Sequence, residues 1–157
     1  MNLENAALDY LAANESSLVE LASAIWERPE LGLQEAHAAS LIAGRLGQEG
    51  FSVEIGAGEM ETAFVASWGH GLPIIGILGE YDALPGLGHA CGHNLIGTAA
   101  LGAGRLPASG APNQPRCSFS SGASRSPRHV PSCSPSATIM PTPASEATMA
   151  SHVYTCS

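Results

Sequence analysis

Hydrophobic positions along the first hundred residues follow two periodicities, one helical and one extended. Between residues 4 and 27, Leu18, Leu21, Ala22 and Ile25 recur at intervals of three and four, with acidic residues on the other side. That spacing predicts an amphipathic helix. Pro29 ends it, because the residue before a proline is pushed out of helical geometry. A second helix is predicted over 34–49, with Ala38, Leu41, Ile42 and Leu46 on one stripe and Gly50 placed to cap its end. Residues 51–55 alternate apolar and polar, as a half-buried strand does, and 62–68 form a second strand candidate. Residues 74–80, Ile-Ile-Gly-Ile-Leu-Gly-Glu, are apolar almost throughout, the pattern of a central strand covered on both faces. A loop follows from Tyr81 to Gly92, with Pro85 and glycines at 86, 88 and 92. A third helix is predicted to open near His93 or Asn94 and to carry Leu95, Ile96, Ala99 and Ala103. Helices followed by strands, then strand–loop–helix, give an α/β layered domain.

The pattern breaks after Gly104. Residues 105–157 contain eight Pro and twelve Ser with no sustained periodicity, and Pro107 cuts the third helix short. Such a composition buries too little apolar surface to offset its ordering entropy. Two explanations compete: a genuinely disordered tail, or a coding frame lost near residue 104, leaving a tail unrelated to the fold. The second is preferred, because the change falls inside an element rather than at a domain edge. The chain then divides into a partial α/β domain over 1–104 and a Ser/Pro-rich low-complexity tail over 105–157. A sheet cut off there would leave strand 74–80 at an edge, an aggregation hazard.

Charge sharpens this division. The net charge is −8 with no lysine. Residues 1–104 hold thirteen acids against Arg28 and Arg45, whereas 105–157 hold four arginines against Glu146 alone. The acidic front argues against nucleic acid and anionic membrane surfaces as partners, since both need clustered basic residues. No apolar run approaches the roughly 18 residues of a membrane span. The start, Met-Asn-Leu-Glu-Asn, lacks the basic and apolar regions of a signal peptide, so the expected compartment is the cytoplasm. Cys117, Cys133 and Cys156 lie in the tail, and a disulfide framework has little support without a secretory signal.

Candidate chemistry gathers where the apolar strand ends and the third helix begins, in Gly79-Glu80-Tyr81-Asp82-Ala83-Leu84-Pro85-Gly86-Leu87-Gly88-His89-Ala90-Cys91-Gly92-His93-Asn94. In open α/β sheets, ligands bind at the carboxyl ends of strands. Cys91 and His93 are two apart and would project to the same side of an extended segment. A thiolate and an imidazole together suit Zn²⁺ or a similar divalent ion. Asp82, at the strand's end, could orient a ligand or a water. On spacing alone, Cys91 can equally be a small buried hydrophobe. His89 is a ligand-supporting donor or a loop residue, His37 a solvated helix residue, and His70 a turn residue. No role is assigned to His129 or His152. The glycines at 86, 88 and 92 mimic a dinucleotide loop, but the third is one position late, and the lysine of a phosphate-binding loop is absent. Glu80 and Asp82, on one side of a strand, could also be read as a catalytic carboxylate pair.

These residues resemble a known family. Gly-Glu-Tyr-Asp-Ala-Leu-Pro followed by Gly-His-Ala-Cys-Gly-His-Asn-Leu looks like the M20 metallopeptidases, in the amidohydrolase branch. Ile25-Trp26-Glu27-Arg28-Pro29-Glu30-Leu31, Gln34-Glu35, and Leu46 through Val53 also match, so the resemblance covers about residues 15–104. It implies an N-terminal fragment of a catalytic domain in which helices pack on a mixed sheet. In the family, an inserted lid or dimerisation domain and a two-metal site accompany that domain. By position, Cys91 and His93 correspond to ligands of a divalent metal ion, zinc or manganese. Asp82 corresponds to the acid that orients the site, and Glu80 stands where other branches carry a ligand His. The implied reaction is hydrolysis of a small amide, an N-acyl amino acid or dipeptide-like substrate, by metal-activated water with a glutamate moving the proton. Full-length members are expected to be homodimers. The family's adjacent glutamates and late His have no counterpart after His93, which implies a poorly active product. The alternative is a non-catalytic module with residual metal or partner binding.

Overall fold

The computed structural model describes residues 3–70, 74–105, 116–121 and 153–156. Among them the elements run α1 (Leu3–Glu27), α2 (Ala36–Gln48), β1 (Ser52–Ile55), β2 (Phe64–Trp68), β3 (Ile74–Gly79), α3 (His93–Arg105), β4 (Arg116–Ser121) and β5 (Val153–Cys156). A short 3₁₀ turn, Ala57–Glu59, links β1 and β2. The helix and strand periodicities thus mark elements within two residues of where they form. The 3₁₀ turn is too short for a periodicity and is not legible in the sequence.

The strands form one mixed sheet in the order β1-β2-β4-β3-β5. β3 and β4 run parallel, with Ile74 opposite Arg116 and Gly79 opposite Ser121. The other neighbours are antiparallel. Two expectations are corrected here. β3 is not at an edge, because β4 and β5 pair with it on either side. Both partners come from 105–157, where Cys117 and Phe119 alternate with serines at the strand period, a signal too short to stand out from the Ser/Pro-rich background. Elsewhere in that segment, Pro107, His129, Cys133, Glu146 and His152 lie outside the described residues. The second correction concerns covering. Ile77 packs on the hydrophobic core, whereas Leu78, pointing to the opposite face, is 43% exposed. Among the described residues the helical layer covers one face of β3, not two.

The core lies between that helical layer and the sheet. α2 buries Ala38, Ala39, Ile42, Ala43 and Leu46, α1 buries Ile25, and α3 buries Ala100 and Leu101. Facing them are Phe64 and Ala66 of β2, with Tyr81 just beyond β3. Full burial of each large apolar side chain contributes about 1.5–3 kcal/mol. The alanines keep the α2 stripe thin enough for the helix to lie close to the sheet.

The connection from α1 to α2 prepares the ground for the site. Leu31 bridges Ala83 in parallel, and the Ala83 N–H donates to the Glu30 carbonyl at 2.7 Å. The Glu30 carboxylate accepts from the His37 N–H at 2.9 Å and the Ala38 N–H at 3.0 Å, so it caps α2 from outside the helix. Glu35, at the cap position itself, makes no side-chain cap. It is 2% exposed and accepts the Thr62 hydroxyl at 2.6 Å. At the other end of the helical layer, Arg105 pairs with Glu49 and lies over the Tyr10 ring at 4.9 Å.

α3 crosses the end of β3 at a point where there is no room for a side chain. A Cβ on Gly97 would meet the Glu80 carbonyl oxygen and Ile42 Cδ1, each at 3.1 Å, and Tyr81 Cβ at 3.4 Å. Backbone at Glu80 cannot yield as a flexible side chain would. Gly97→Ala is therefore expected to destabilise the chain by about 1–3 kcal/mol, despite alanine's better helix propensity. Chemical denaturation of both proteins checks this, and an unchanged or raised midpoint would contradict it.

Candidate metal centre

The site begins with Tyr81. Its hydroxyl donates to the Thr62 carbonyl at 2.6 Å, and its ring stacks on Phe64 at 6.2 Å. That buries Tyr81 in the core, so its neighbours Glu80 and Asp82 leave the chain on the opposite side. Beyond Asp82 the chain closes a tight turn, with the Leu84 N–H on the Gly88 carbonyl at 2.8 Å and the reverse bond at 3.1 Å. Gly86, Gly88 and Gly92 all have positive φ, 71°, 59° and 80°. These glycines fold the loop through conformations that a Cβ would strain.

His93 opens α3 and faces both carboxylates. Its Nδ1 lies 2.8 Å from Asp82 Oδ1 and 3.2 Å from the Asp82 carbonyl oxygen. Both partners are acceptors, so Nδ1 carries the proton and donates. The other ring nitrogen, Nε2, lies 3.4 Å from Glu80 Oε2. The two acids therefore come together, but on His93 rather than on each other.

Cys91 takes no part in these contacts. It is a free, exposed thiol in a turn, not in an extended segment, because the chain bends through Gly92 before α3 starts. The reading of Cys91 as a buried hydrophobe is excluded by that exposure. The expected same-side projection of Cys91 and His93 does not follow from a turn. Of the other histidines, His70 is exposed, and His37 is half-buried with its N–H capped by Glu30.

His89 is legible in the sequence only as a donor or loop residue. It is 3% exposed, with Nε2 3.1 Å from the Ile25 carbonyl oxygen and its ring 6.4 Å from that of Trp26. Burial pushes its pKa down; the Ile25 carbonyl opposes this, His93 adds to it, and Asp82 opposes it. Asn94, to which the sequence reading assigns no role of its own, is also buried and donates from Nδ2 to the Ala22 carbonyl at 3.2 Å.

The donor types fit a divalent ion. Two atoms each about 2.1 Å from one tetrahedral ion lie roughly 3.4 Å apart, a separation that His93 Nε2 and Glu80 Oε2 match. The donor number falls short. Among the described residues, no three His, Cys, Asp or Glu side chains converge on one point.

No family model matches the chain. In sequence it is similar to a subunit of the p-aminobenzoyl-glutamate hydrolase of Escherichia coli K12, 39% identical over 112 residues that make up 60% of this chain and 23% of that protein. It is also similar to human Xaa-Arg dipeptidase, 39% identical over 99 residues, 52% of this chain and 23% of that one. In structure, it superposes on a Staphylococcus aureus protein described as an aminohydrolase with a TM-score of 0.65 at 22% identity, covering 77% of this chain and 34% of that one. A Bacillus subtilis dinuclear metal-binding peptidase of the M20 family gives a TM-score of 0.55 at 23% identity, covering 69% and 35%. The chain is thus a homologue of these two hydrolases in sequence, and it shares its fold with a solved M20 family peptidase. It spans about a quarter of the length of the curated relatives it matches. Among the described residues, no helix is long and apolar enough to cross a membrane.

The contact between Asp82 and His93 sets a first prediction. Asp82→Ala frees the His93 ring to rotate and should weaken Zn²⁺ or Co²⁺ binding about 10- to 100-fold, measured by calorimetric titration. Asp82→Asn, which keeps an acceptor for Nδ1, should fall between the two. A second prediction concerns pH. An unfolded histidine protonates near pH 6.5, while folded His89, its pKa lowered by burial, does so only at lower pH. The unfolded state then binds more protons below about pH 6.5, so stability falls as pH drops through that window and levels off once folded His89 protonates. Denaturation midpoints between pH 8 and pH 5 should show this fall, and it should be shallower in His89→Gln.

Proposed function

We propose that this chain carries one part of a metal-dependent amide hydrolase site, with Cys91 and His93 as ligands of a zinc or manganese ion and Asp82 orienting His93. The observation that carries this reading is the 2.8 Å contact between His93 Nδ1 and Asp82 Oδ1 at the junction of β3 and α3. A hydrogen-bonded carboxylate behind an imidazole is the usual support of a histidine ligand. Glu80 Oε2, 3.4 Å from His93 Nε2, sets a carboxylate beside that nitrogen. The substrate class is an N-acyl amino acid or dipeptide-like amide. The names of the sequence relatives support it, since one belongs to a hydrolase of p-aminobenzoyl-glutamate and another is a dipeptidase. We place the protein in the cytoplasm, acting on a small molecule rather than nucleic acid or membrane.

A divalent ion at such a site supplies Lewis acidity toward the amide carbonyl and the attacking water. In this chain, Asp82 fixes the ring of His93 and its tautomer, and Glu80 sets the charge facing Nε2. Both acids are engaged with His93, which leaves neither free to move a proton on the substrate. We therefore infer weak metal binding and little turnover. The second reading, a non-catalytic module that retains metal or partner binding, draws support from the lack of three convergent donors among the described residues.

The purified chain should take up Zn²⁺ or Mn²⁺ weakly, lose that uptake in Cys91→Ser and in His93→Ala, and hydrolyse an N-acyl glutamate or a dipeptide slowly at most. Robust turnover that disappears in Cys91→Ala would overturn the claim of low activity. Metal uptake untouched by either substitution would overturn the ligand assignment. The frame-loss reading of 105–157 has its own test in the coding DNA. A shifted frame past codon 104 should encode a Glu-Glu pair and a late His, and a frame encoding neither would end that idea.

A further inference from the structure

His89 and Asn94 bracket the segment that holds Cys91 and His93, yet their side chains turn away from it toward α1. Each reaches a backbone carbonyl there: His89 Nε2 lies 3.1 Å from the Ile25 oxygen, and Asn94 Nδ2 lies 3.2 Å from the Ala22 oxygen. These carbonyls are three residues apart, about 4.5 Å along the helix axis. We infer that His89 and Asn94 are positioning residues, a two-point clamp that seats the Cys91–His93 loop on the C-terminal end of α1. The inference deepens the proposed function and rests on its reading of Cys91 and His93 as ligands.

The acceptor for His89 exists because of Pro29. In a continuing helix, the Ile25 carbonyl would receive the N–H of residue 29, and proline has none. The Arg28 N–H reaches that carbonyl only at 3.3 Å. A carbonyl can only accept, so Nε2 of His89 carries the proton and Nδ1 has the lone pair. The ring is held further by Trp26, 6.4 Å away between centroids, and Gly88 comes up against the Pro29 ring. Between the two anchor points, the Gly92 N–H donates to the His89 carbonyl at 2.8 Å and closes a turn around Cys91. Both ends of the ligand segment are thereby tied to one rigid element.

The clamp also leaves two acceptors without donors. His89 Nδ1 and Asn94 Oδ1 are buried with no hydrogen-bond partner, in residues 3% and 5% exposed. Leaving such atoms unpaired costs stability. An apolar residue at either position would avoid that cost but could not hold the α1 carbonyl. The donor at 89 and the donor at 94 are the groups in use, and the rest of each side chain is tolerated for them.

The test uses the full 157-residue chain with His89→Phe, His89→Gln and Asn94→Leu. Two readouts are taken: amide hydrogen exchange without metal, and Co²⁺ titration followed by the thiolate-to-cobalt absorption band. In His89→Phe and Asn94→Leu, exchange over residues 89–95 should rise about tenfold or more while residues 38–46 of α2 keep wild-type protection. Co²⁺ affinity should fall about 10- to 100-fold in the same two variants. His89→Gln keeps an N–H for the Ile25 carbonyl and should stay within about threefold of wild type in both readouts. A rise in exchange at 38–46 as large as that in the loop overturns the clamp, since the residues would then serve the whole fold. His89→Gln as impaired as His89→Phe also overturns it, because the imidazole lone pair would be the group in use. Absence of the cobalt band in the wild-type chain removes the metal reading alone, and the exchange comparison still decides the clamp.

Discussion

The close approach of α3 to the end of β3 underlies the rest of this structure. Gly97 lets the helix lie against the Glu80 carbonyl and the Tyr81 side chain, at distances where any larger residue would push them apart. One turn earlier on the same helix is His93, and two residues after Glu80 is Asp82. Their 2.8 Å contact is possible because the backbones that carry them already touch. Tyr81, pinned to Thr62 and stacked on Phe64, fixes which side of the chain Glu80 and Asp82 occupy. Packing and chemistry are thus coupled through a few atoms at one junction.

The second support comes from α1. Its last two turns offer carbonyls, one of them freed by Pro29, and the loop after β3 uses them through His89 and Asn94. The connection that follows, 28–35, runs beside the same loop, pairing Leu31 with Ala83 and sending Glu30 forward to cap α2. The segment Trp26-Glu27-Arg28-Pro29-Glu30-Leu31 therefore acts on three elements at once. It ends α1, starts α2 and bounds the candidate site.

The chain is similar in sequence to two hydrolases and spans about a quarter of their length. Glu80 and Asp82 meet on the His93 ring, and Cys91 is an exposed free thiol. Among the described residues, no three such side chains converge on one point.

By itself, the sequence determined the helices, the first three strands and the loop that carries the chemistry, because periodicity and punctuation by Pro and Gly are local properties. Alternating Ile42 and Leu46 with small residues marks α2 as readily in isolation as in the fold. The motif around Cys91 and His93 marked the site region for the same reason. Only the tertiary structure decided what each group does there. That Cys91 is exposed in a turn, that Glu80 and Asp82 meet on His93, and that β4 and β5 flank β3 are all long-range matters. The role of His89 is the clearest case. Its partner lies 64 residues away on another helix, at a carbonyl left free by a proline, and no local pattern could connect the two.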